Sequence, residues 1–439
     1  MWSKVFTPLL THRLTPAEKF PQLQLRVGQQ RRVTCGRQLS IPLSSFDSHS
    51  LDFARREIEP GSVVELRDAD HRKLLALAFY EPALLRVDIF HHTPKVVTDL
   101  PRISEDFFVN RVKEAWGRRQ SVFRHVRTGS TNAYRVVNGY ADGVPSLYVD
   151  LFSSSFARVV ATSAGAERIV PAVTELLRQH GVEEVLLDTP HLKDHEKLTL
   201  ITPTITLPET YMENGASNMW LPRDEYPTTS SNRWLINTAH RRIRAVLRDL
   251  CHGKRVLCVN DRGGAAALQA VMTAKSVVFA ESDESLLNRV RENLVANHAS
   301  AVFNTCETTN SPIEELSMRQ QDVVFLEHRF DTLSSPEQWQ NLLKVMLFRG
   351  VCGKGSIVVV AQEVALLGMH DYVASGGGVA ASVVRATRSE MFNVFNRVTA
   401  EHGLRARLLR FFGPSIDYPT LPAVEAGCYS YAFLLELAS

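Results

Sequence analysis

The sequence predicts an α/β protein whose carboxyl-terminal part is a Rossmann-like, doubly wound sheet of mostly parallel strands. Three observations support this prediction. Apolar runs of strand length, "KRVLCVN", "SVVFAE", "DVVFLE" and "SIVVVAQ", alternate with stretches of helical periodicity after residue 231. A glycine pair, Gly263 and Gly264, follows the first of these strands. Glu281 ends the second strand, roughly 20 residues beyond the glycine turn, as in nucleotide-binding sheets.

The composition is typical of a globular protein with more than one core. The 439 residues are 44% hydrophobic and 22% charged, and the net charge of +3 is only a weak indication of a polyanionic partner. Six cysteines are scattered without a CxxC pair or clustered histidines, so neither a zinc site nor a disulfide framework is expected. No apolar run approaches the roughly 20 residues that span a bilayer, and membrane insertion is not expected.

Four segments are predicted along the chain. Residues 1–30 form a basic amino-terminal segment, and residues 31–95 form a small β-barrel-like domain with period-2 alternation in "SVVEL" and "LLALAFY". Residues 96–230 hold a linker helix, "DFFVNRVKEAWGRRQSVFRHV", and an α+β middle domain. Residues 231–439 form the doubly wound sheet.

The first 37 residues carry seven Lys or Arg against one acid, with Ser and Thr interspersed. This composition is typical of a mitochondrial presequence and predicts a mitochondrial location. The alternative is a basic arm that stays on the protein and contacts RNA or a partner, in which case a cytoplasmic location is expected.

The glycine turn is where a ligand is expected, because open α/β sheets bind ligands at the carboxyl ends of their strands. Gly263 and Gly264 permit a tight turn, and the helix that follows offers free N–H groups. The Glu281 carboxylate could accept both hydroxyls of a ribose. Two alternatives stay open: the glycines only shape the start of a helix, or Glu281 caps the next helix together with Asp283 and Glu284.

Two basic clusters predict contacts with nucleic-acid phosphates. The first lies in the linker helix and comprises Arg111, Lys113, Arg118, Arg119, Arg124 and Arg127. The second lies on the helix before the sheet and comprises Arg241, Arg242, Arg244 and Arg248. The alternative for each cluster is a solvated helical face.

The chain also resembles a known family, the bacterial large-subunit ribosomal RNA cytosine-5 methyltransferases with an amino-terminal PUA domain. The resemblance runs from about Arg31 to Leu437, and "TNAYRVVNGYADGVPSLYVDLF" is its most specific part. It implies a PUA-like domain, the α+β middle domain and a class I methyltransferase domain. It also implies ribosomal RNA as the partner and S-adenosylmethionine (SAM) as the cofactor, held at Gly263, Gly264 and Glu281.

Four signatures of that family are altered in this sequence. Arg262 stands before the glycine pair, and Asn237, Thr238 and Ala239 stand ahead of the sheet. Glu327, His328 and Arg329 stand at the end of the strand "DVVFLE", and Gln362 and Glu363 at the end of the strand "SIVVVAQ". In the family the latter strand supplies the cysteine that attacks cytosine, and no cysteine stands there. Cys352 lies about ten residues early, at the opposite end of a strand rising about 3.3 Å per residue.

These departures predict an RNA-binding, ribosome-associated protein, either an assembly factor or a ribosomal component, built on a degenerate methyltransferase fold. Ribosomal RNA and ribosomal or assembly proteins are the expected partners. The alternative is an active SAM-dependent methyltransferase with altered catalytic residues, which the retained Gly263, Gly264 and Glu281 favour. Glu327 and His328 could form an acid/base pair, but we expect both to be solvated. A nicotinamide enzyme is disfavoured because no G-x-G-x-x-G is present.

Overall fold

The computed structural model describes most of the chain, with gaps. The described residues are 20–34, 39–70, 72–93, 101–189, 199–200, 210–215, 217–220, 236–281, 284–297, 306–309, 319–330, 336–364, 379–419 and 430–439.

The described strands form three larger sheets and a hairpin. The strands of the first sheet are β1 (Gln22–Gln24), β2 (Ser40–Pro42), β3 (Val63–Arg67), β4 (Leu74–Glu81) and β5 (Arg86–His92). Those of the middle sheet are β6 (Ala133–Asn138), β7 (Leu147–Phe152), β8 (Phe156–Ala161), β9 (Glu184–Asp188) and β10 (Thr199–Leu200), and the hairpin pairs β11 (Thr210–Glu213) with β12 (Ser217–Trp220). Those of the third sheet are β13 (Arg255–Val259), β14 (Ser276–Ala280), β15 (Cys306–Thr309), β16 (Val323–Phe330), β17 (Ile357–Val364), β18 (Arg405–Phe412) and β19 (Ser430–Ala438).

The described helices lie between these strands. They are α1 (Gln30–Thr34), α2 (Ser48–Glu57), α3 (Glu105–Val122), α4 (Arg124–Arg127), α5 (Ala164–Gln179), α6 (Arg241–Leu250), α7 (Ala265–Val271), α8 (Glu284–Ala296), α9 (Pro336–Phe348) and α10 (Val379–Glu401). Within the described residues, none of the helices is both long and apolar enough to cross a bilayer.

The first sheet has the order β1-β3-β4-β5-β2, with β1 parallel to β3 and the remaining pairs antiparallel. Because β1 begins at Gln22, the sheet takes in residues that the sequence assigned to the basic amino-terminal segment. Residues 1–19, which make up most of the predicted presequence, lie outside the described residues.

The middle sheet has the order β10-β9-β8-β7-β6 and shares a hydrophobic core with the first sheet. Phe108 of α3 stands between them, with its ring centroid 5.4 Å from that of Phe79 and 5.1 Å from that of Phe90. Gly165 lets α5 approach β4, because a Cβ there would clash with the Phe79 ring. The predicted linker helix is confirmed as α3, but it ends at Val122 and Phe123 separates it from α4.

The third sheet has the order β15-β14-β13-β16-β17-β19-β18. All its neighbouring pairs are parallel except those of β19, which runs antiparallel to both β17 and β18. Helices α6, α7 and α8 contribute to the core on one face, and α9 and α10 to the core on the other. The predicted doubly wound sheet is therefore confirmed, since its strands are covered on both faces and carry the apolar runs seen in the sequence.

The middle sheet and the third sheet also share a core. Phe152, Phe156 and Tyr211 pack in the same cluster as Val256 and Phe279 of the third sheet. The two parts that the sequence separated near residue 230 are thus joined by buried apolar surface, which positions the helices of the middle part beside the sheet that carries the candidate site.

Candidate functional site

The glycine turn lies at the carboxyl end of β13, as predicted. Gly263 and Gly264 have φ values of 61° and 70°, which favour glycine. A Cβ on Gly264 would lie 2.8 Å from Cγ1 of Val290, so this glycine is required for α8 to pack on the turn. The carbonyl of Gly263 accepts a hydrogen bond of 2.9 Å from Asn293 Nδ2 of the same helix. The glycines therefore do have the packing role that the sequence offered as an alternative.

Asp261 occupies the amino end of α7. Its carboxylate accepts hydrogen bonds from the backbone N–H groups of Ala266 (3.0 Å) and Ala267 (2.8 Å). Two N–H groups that we expected to be free for a ligand are therefore already bonded, and that expectation is wrong. Burial raises the pKa of Asp261 to about 7, and the nearby Glu327 carboxylate adds to the increase.

Glu281 stands beside the glycine turn, as its spacing predicted. It directly follows Ala280, which pairs with Val259 at the end of β13. The backbone N–H of Asn260 donates to the Ala280 carbonyl at 3.4 Å, so the chain segments carrying Asn260 and Glu281 are neighbours. Asn260 is exposed and Glu281 half-buried. A solvent-accessible carboxylate next to a positive-φ turn fits the ribose end of a nucleoside cofactor.

Glu327, expected to be a solvated residue, is buried, with 5% of its surface exposed. Its Oε1 lies 3.3 Å from Nδ1 of His240, and Nε2 of His240 lies 3.1 Å from the carbonyl oxygen of Gln362. Because a carbonyl only accepts, Nε2 carries a proton and donates it. His240 thus joins the carboxyl-terminal halves of β16 and β17, which both continue beyond Glu327 and Gln362, so the prediction that these two residues end the strands is wrong. The side chain of His328 lies outside the described residues.

Gln362 lies in β17, in the region where the sequence resemblance predicts an attacking cysteine. Its side chain is fully buried, and Oε1 accepts a hydrogen bond of 2.8 Å from the Tyr431 hydroxyl. Its Nε2 has no hydrogen-bond partner within the described part of the chain. An amide is not a nucleophile towards a pyrimidine ring, so this position cannot perform the cysteine's step.

Cys352 cannot replace the missing nucleophile. It precedes β17, at the end of the strand away from the glycine turn, and only 1% of its surface is exposed. Burial raises the pKa of its thiol to about 12, so the thiolate is scarce at neutral pH. The predicted placement of Cys352 at the wrong end of the strand is confirmed. Within the described residues, no group of three or more His, Cys, Asp and Glu side chains is arranged to hold a metal ion.

Three arginines that the sequence assigned to RNA are instead parts of the core, and the prediction is wrong for them. Arg119 forms two hydrogen bonds with Asp142, of 2.7 and 2.6 Å. Arg244 is fully buried and forms two with Glu213, of 2.7 and 2.6 Å. The physical reason is that each guanidinium is enclosed with a carboxylate that uses its donors, which leaves it no access to a phosphate.

The third of these residues, Arg241, is buried between the middle and third sheets. It pairs with the Asp417 carboxylate, donates to the Ala133 carbonyl at 2.9 Å and lies 4.2 Å above the Phe123 ring. These contacts join α6 to β6 and to Phe123, the residue between α3 and α4. Sequence reasoning missed the acids involved because they lie far from their partners along the chain.

The other members of the two clusters differ in accessibility. Arg111 is half-buried and donates to the carbonyls of Phe90 and Gly143. Arg118 is exposed but pairs with Asp142 at 3.0 Å. The members that are exposed and for which RNA contact stays a prediction are Lys113, Arg124, Arg127 and Arg242.

Comparison with known proteins is consistent with this geometry. No family model matches the chain. A ribosomal RNA large subunit methyltransferase of Deinococcus radiodurans is 30% identical over 158 residues, which are 34% of this chain and 35% of that protein. The ribosomal RNA large subunit methyltransferase I of Erwinia tasmaniensis is 23% identical over 252 residues, 54% of this chain and 59% of that protein. The matches thus span about a third to three-fifths of these relatives' length.

Solved structures identify the fold. A Streptococcus mutans protein described as a SAM-dependent methyltransferase superposes with a TM-score of 0.68 at 13% identity, covering 94% of this chain and 99% of that one. The methyltransferase SMU.776, complexed with S-adenosylhomocysteine, gives a TM-score of 0.67 at 14% identity with the same coverage. The chain has the fold of the SAM-dependent methyltransferases. The predicted class I methyltransferase fold is confirmed, while the PUA-like assignment of the first sheet stays a prediction.

Proposed function

We propose that this protein is an RNA-binding, ribosome-associated protein, an assembly factor or a ribosomal component, which uses a ribosomal RNA methyltransferase fold without methylating cytosine at C5. The names of its relatives support a function related to ribosomal RNA. Ribosomal RNA and ribosomal or assembly proteins are its proposed partners.

The observation that carries the proposal is the chemistry at the ends of β16 and β17. Cytosine-5 methylation through a covalent adduct needs a thiolate that adds to the ring and leaves again. Here Gln362 presents an amide, and the Glu327 carboxyl group is engaged by His240. The described cysteines Cys251, Cys258 and Cys352 are all buried. No described group at these strand ends can perform the addition.

SAM binding is a separate part of the proposal. Glu281 would accept hydrogen bonds from the ribose, and the positive-φ backbone at Gly263 would lie beside the cofactor. When bound, SAM supplies an electrophilic methyl group. Replacing Glu281 by Gln removes charge-assisted hydrogen bonds worth about 1.5 to 3 kcal/mol, so we expect a roughly 10- to 100-fold weaker affinity by calorimetry. Asp249→Asn, an exposed change on α6, is the control.

The alternative is an active methyltransferase that acts on another atom of RNA. The contact of 3.3 Å between Nδ1 of His240 and Oε1 of Glu327 favours it, since an imidazole beside a carboxyl group can serve in proton transfer.

A methyl-transfer assay separates the two functions. The full chain is incubated with methyl-labelled SAM and ribosomal RNA, and label in the RNA is counted. The proposal expects no label above a heat-inactivated sample. Transfer that is lost in both Glu281→Gln and His240→Gln, but kept in Asp249→Asn, would establish the alternative. RNA binding is measured in parallel, because a chain that neither binds nor methylates ribosomal RNA contradicts both functions.

A further inference from the structure

A row of arginines lies on β18, the edge strand of the third sheet. Five of its eight residues carry exposed arginine or leucine side chains: Arg405, Arg407, Leu408, Leu409 and Arg410. Neither basic cluster predicted from the sequence includes them. We call the set of Arg405, Arg407, Arg410 and Arg242 of α6 the arginine stripe.

A β-bulge places the three strand arginines on one face of the sheet. In register with β19, Arg407 pairs with Glu436 and Arg410 pairs with Leu434. Glu436 and Leu434 are two residues apart, so they and their partners share a face. Leu409 is the extra residue of the bulge, and without it Arg410 would face the other way.

The stripe continues onto α6. The guanidinium of Arg410 lies 5.0 Å from the centre of the Phe412 ring, and that of Arg242 lies 5.9 Å from the same centre. Two exposed cations therefore converge on one buried ring. The acid that faces the stripe from β19 is Glu436, whose carboxylate is 3.7 Å from Arg407 in an exposed pair. Such a pair contributes little, so most of the stripe's positive charge stays available to a ligand.

The stripe leads towards the candidate site. Phe412 pairs with Ala432, Ala432 with Ala361, and Ala361 with Glu327. Arg410, the last arginine of the stripe on β18, lies two residues or about 7 Å short of the level of Glu327, which is three strand spacings or about 14 Å away across the sheet. The stripe therefore runs along β18 towards the edge of the sheet that carries the candidate site.

The geometry points to the arginine stripe as a binding site for the phosphate backbone of single-stranded RNA. Arginines spaced along one exposed face can contact successive phosphates, and their forked donors suit phosphate oxygens. The apolar residues Leu408 and Phe411 pair with Leu435 and Phe433 on the opposite face, so they do not interrupt the charged one. This inference rests on the proposed RNA binding and locates it.

The test uses the full chain and a fluorescein-labelled single-stranded RNA of mixed sequence. Affinity is measured by fluorescence anisotropy over a series of salt concentrations. Log affinity falls with log salt, and each phosphate contact to a single strand makes this slope steeper by about 0.7. The variant Arg405→Gln/Arg407→Gln/Arg410→Gln should therefore have a slope that is shallower by about two. The matched control, Arg178→Gln/Arg319→Gln/Arg349→Gln, removes the same charge from exposed positions outside the stripe and should leave the slope within experimental error.

A lysine variant distinguishes binding from a structural role. Lysine keeps the charge, so Arg405→Lys/Arg407→Lys/Arg410→Lys should retain most of the slope. The proposal is overturned if the glutamine variant binds RNA like its control, or if the lysine variant loses as much as the glutamine variant. It is also overturned if the glutamine variant binds RNA normally but differs in oligomeric state or aggregates. The arginines would then mediate a protein–protein contact or prevent aggregation through an unpaired edge strand. If the parent chain binds no RNA, the proposed function itself fails.

Discussion

The Asp417 carboxylate accepts a hydrogen bond of 2.7 Å from the backbone N–H of Arg135, which lies 282 positions earlier in the chain. The same carboxylate pairs with Arg241. Next to it, the Tyr418 hydroxyl lies 2.6 Å from the hydroxyl of Thr238. The segment between β18 and β19 thus binds the middle sheet to α6 through buried polar contacts.

Replacing Asp417 by Asn is expected to lower the free energy of unfolding by about 3 to 5 kcal/mol. The change leaves Arg241 buried without its counter-charge, which is costlier than losing an exposed pair. Urea unfolding followed by circular dichroism measures the effect. Asp249→Asn on the exposed side of α6 is the control, and equal losses in the two variants would contradict the assigned role of Asp417.

Arg244 and Arg242 provide a matched pair on one helix. Arg244→Gln should destabilise the protein by about 3 to 5 kcal/mol because it leaves Glu213 buried and charged. Arg242→Gln should change stability by no more than about 0.5 kcal/mol, since this side chain is exposed. Only Arg242→Gln should weaken RNA binding while the fold is kept. The reverse pattern in urea unfolding and anisotropy would contradict the burial described for α6.

Gly264→Ala should destabilise the protein by about 2 kcal/mol through overpacking against Val290, beyond the cost of its positive φ. Gly253→Ala is a close control, because Gly253 has a φ of 67° but a Cβ added there would meet no atom within 4 Å. Adding Val290→Ala should recover part of the difference. Thermal unfolding of the parent protein, Gly264→Ala, Gly253→Ala and Gly264→Ala/Val290→Ala measures these differences. Equal destabilisation by Gly264→Ala and Gly253→Ala would exclude the steric contact.

Asp261 predicts a pH dependence of stability. Its pKa is about 7 in the folded protein and near 3.8 when unfolded, so between these values the folded state binds more protons. Stability from this group is therefore full at low pH and is lost as pH rises towards about 7. When the pH is lowered from about 8 to about 5.5, the urea midpoint of the parent protein should therefore rise, and this rise should be smaller in Asp261→Asn. The control Asp52→Asn, at an exposed position, should show the same rise as the parent protein. An equal rise in Asp261→Asn would refute the prediction.

Cys251 and Cys352 should resist alkylation in the folded protein. Burial raises the pKa of both thiols to about 12, so each is protonated and shielded from reagent. Mass spectrometry after a brief iodoacetamide treatment reports each site, with a urea-unfolded sample as the control. Rapid native labelling of Cys352 would contradict its placement in the core.

The third sheet could be predicted because each of its strands is specified by a short stretch of apolar sequence. Strands β13, β14, β16 and β17 are rich in Val, Leu, Ile and Phe, which suit a sheet covered on both faces. The position of Glu281 could be predicted for a similar reason, since strand order and chain spacing fix which residues meet at the strand ends.

Which of the charged residues are buried and which are exposed could not be predicted in this way. Arg242 and Arg244 are two positions apart on one helix, yet one is exposed and the other is fully buried. The difference depends on Glu213, 31 positions away from Arg244, and on which side of α6 meets the sheet. Glu327 was expected in solvent because it ends a strand, but His240 comes from a distant segment to cover it.

The position of β19 has a consequence for the order of folding. This strand, residues 430–438, lies between β17 and β18 and is hydrogen-bonded to both. Before these residues emerge from the translating ribosome, β17 has no neighbour on that side and β18 has none at all among the described strands. The arginines on β18 therefore acquire their common orientation only after residues 430–438 have been synthesised, and β17 and β18 each keep an unpaired strand edge until then.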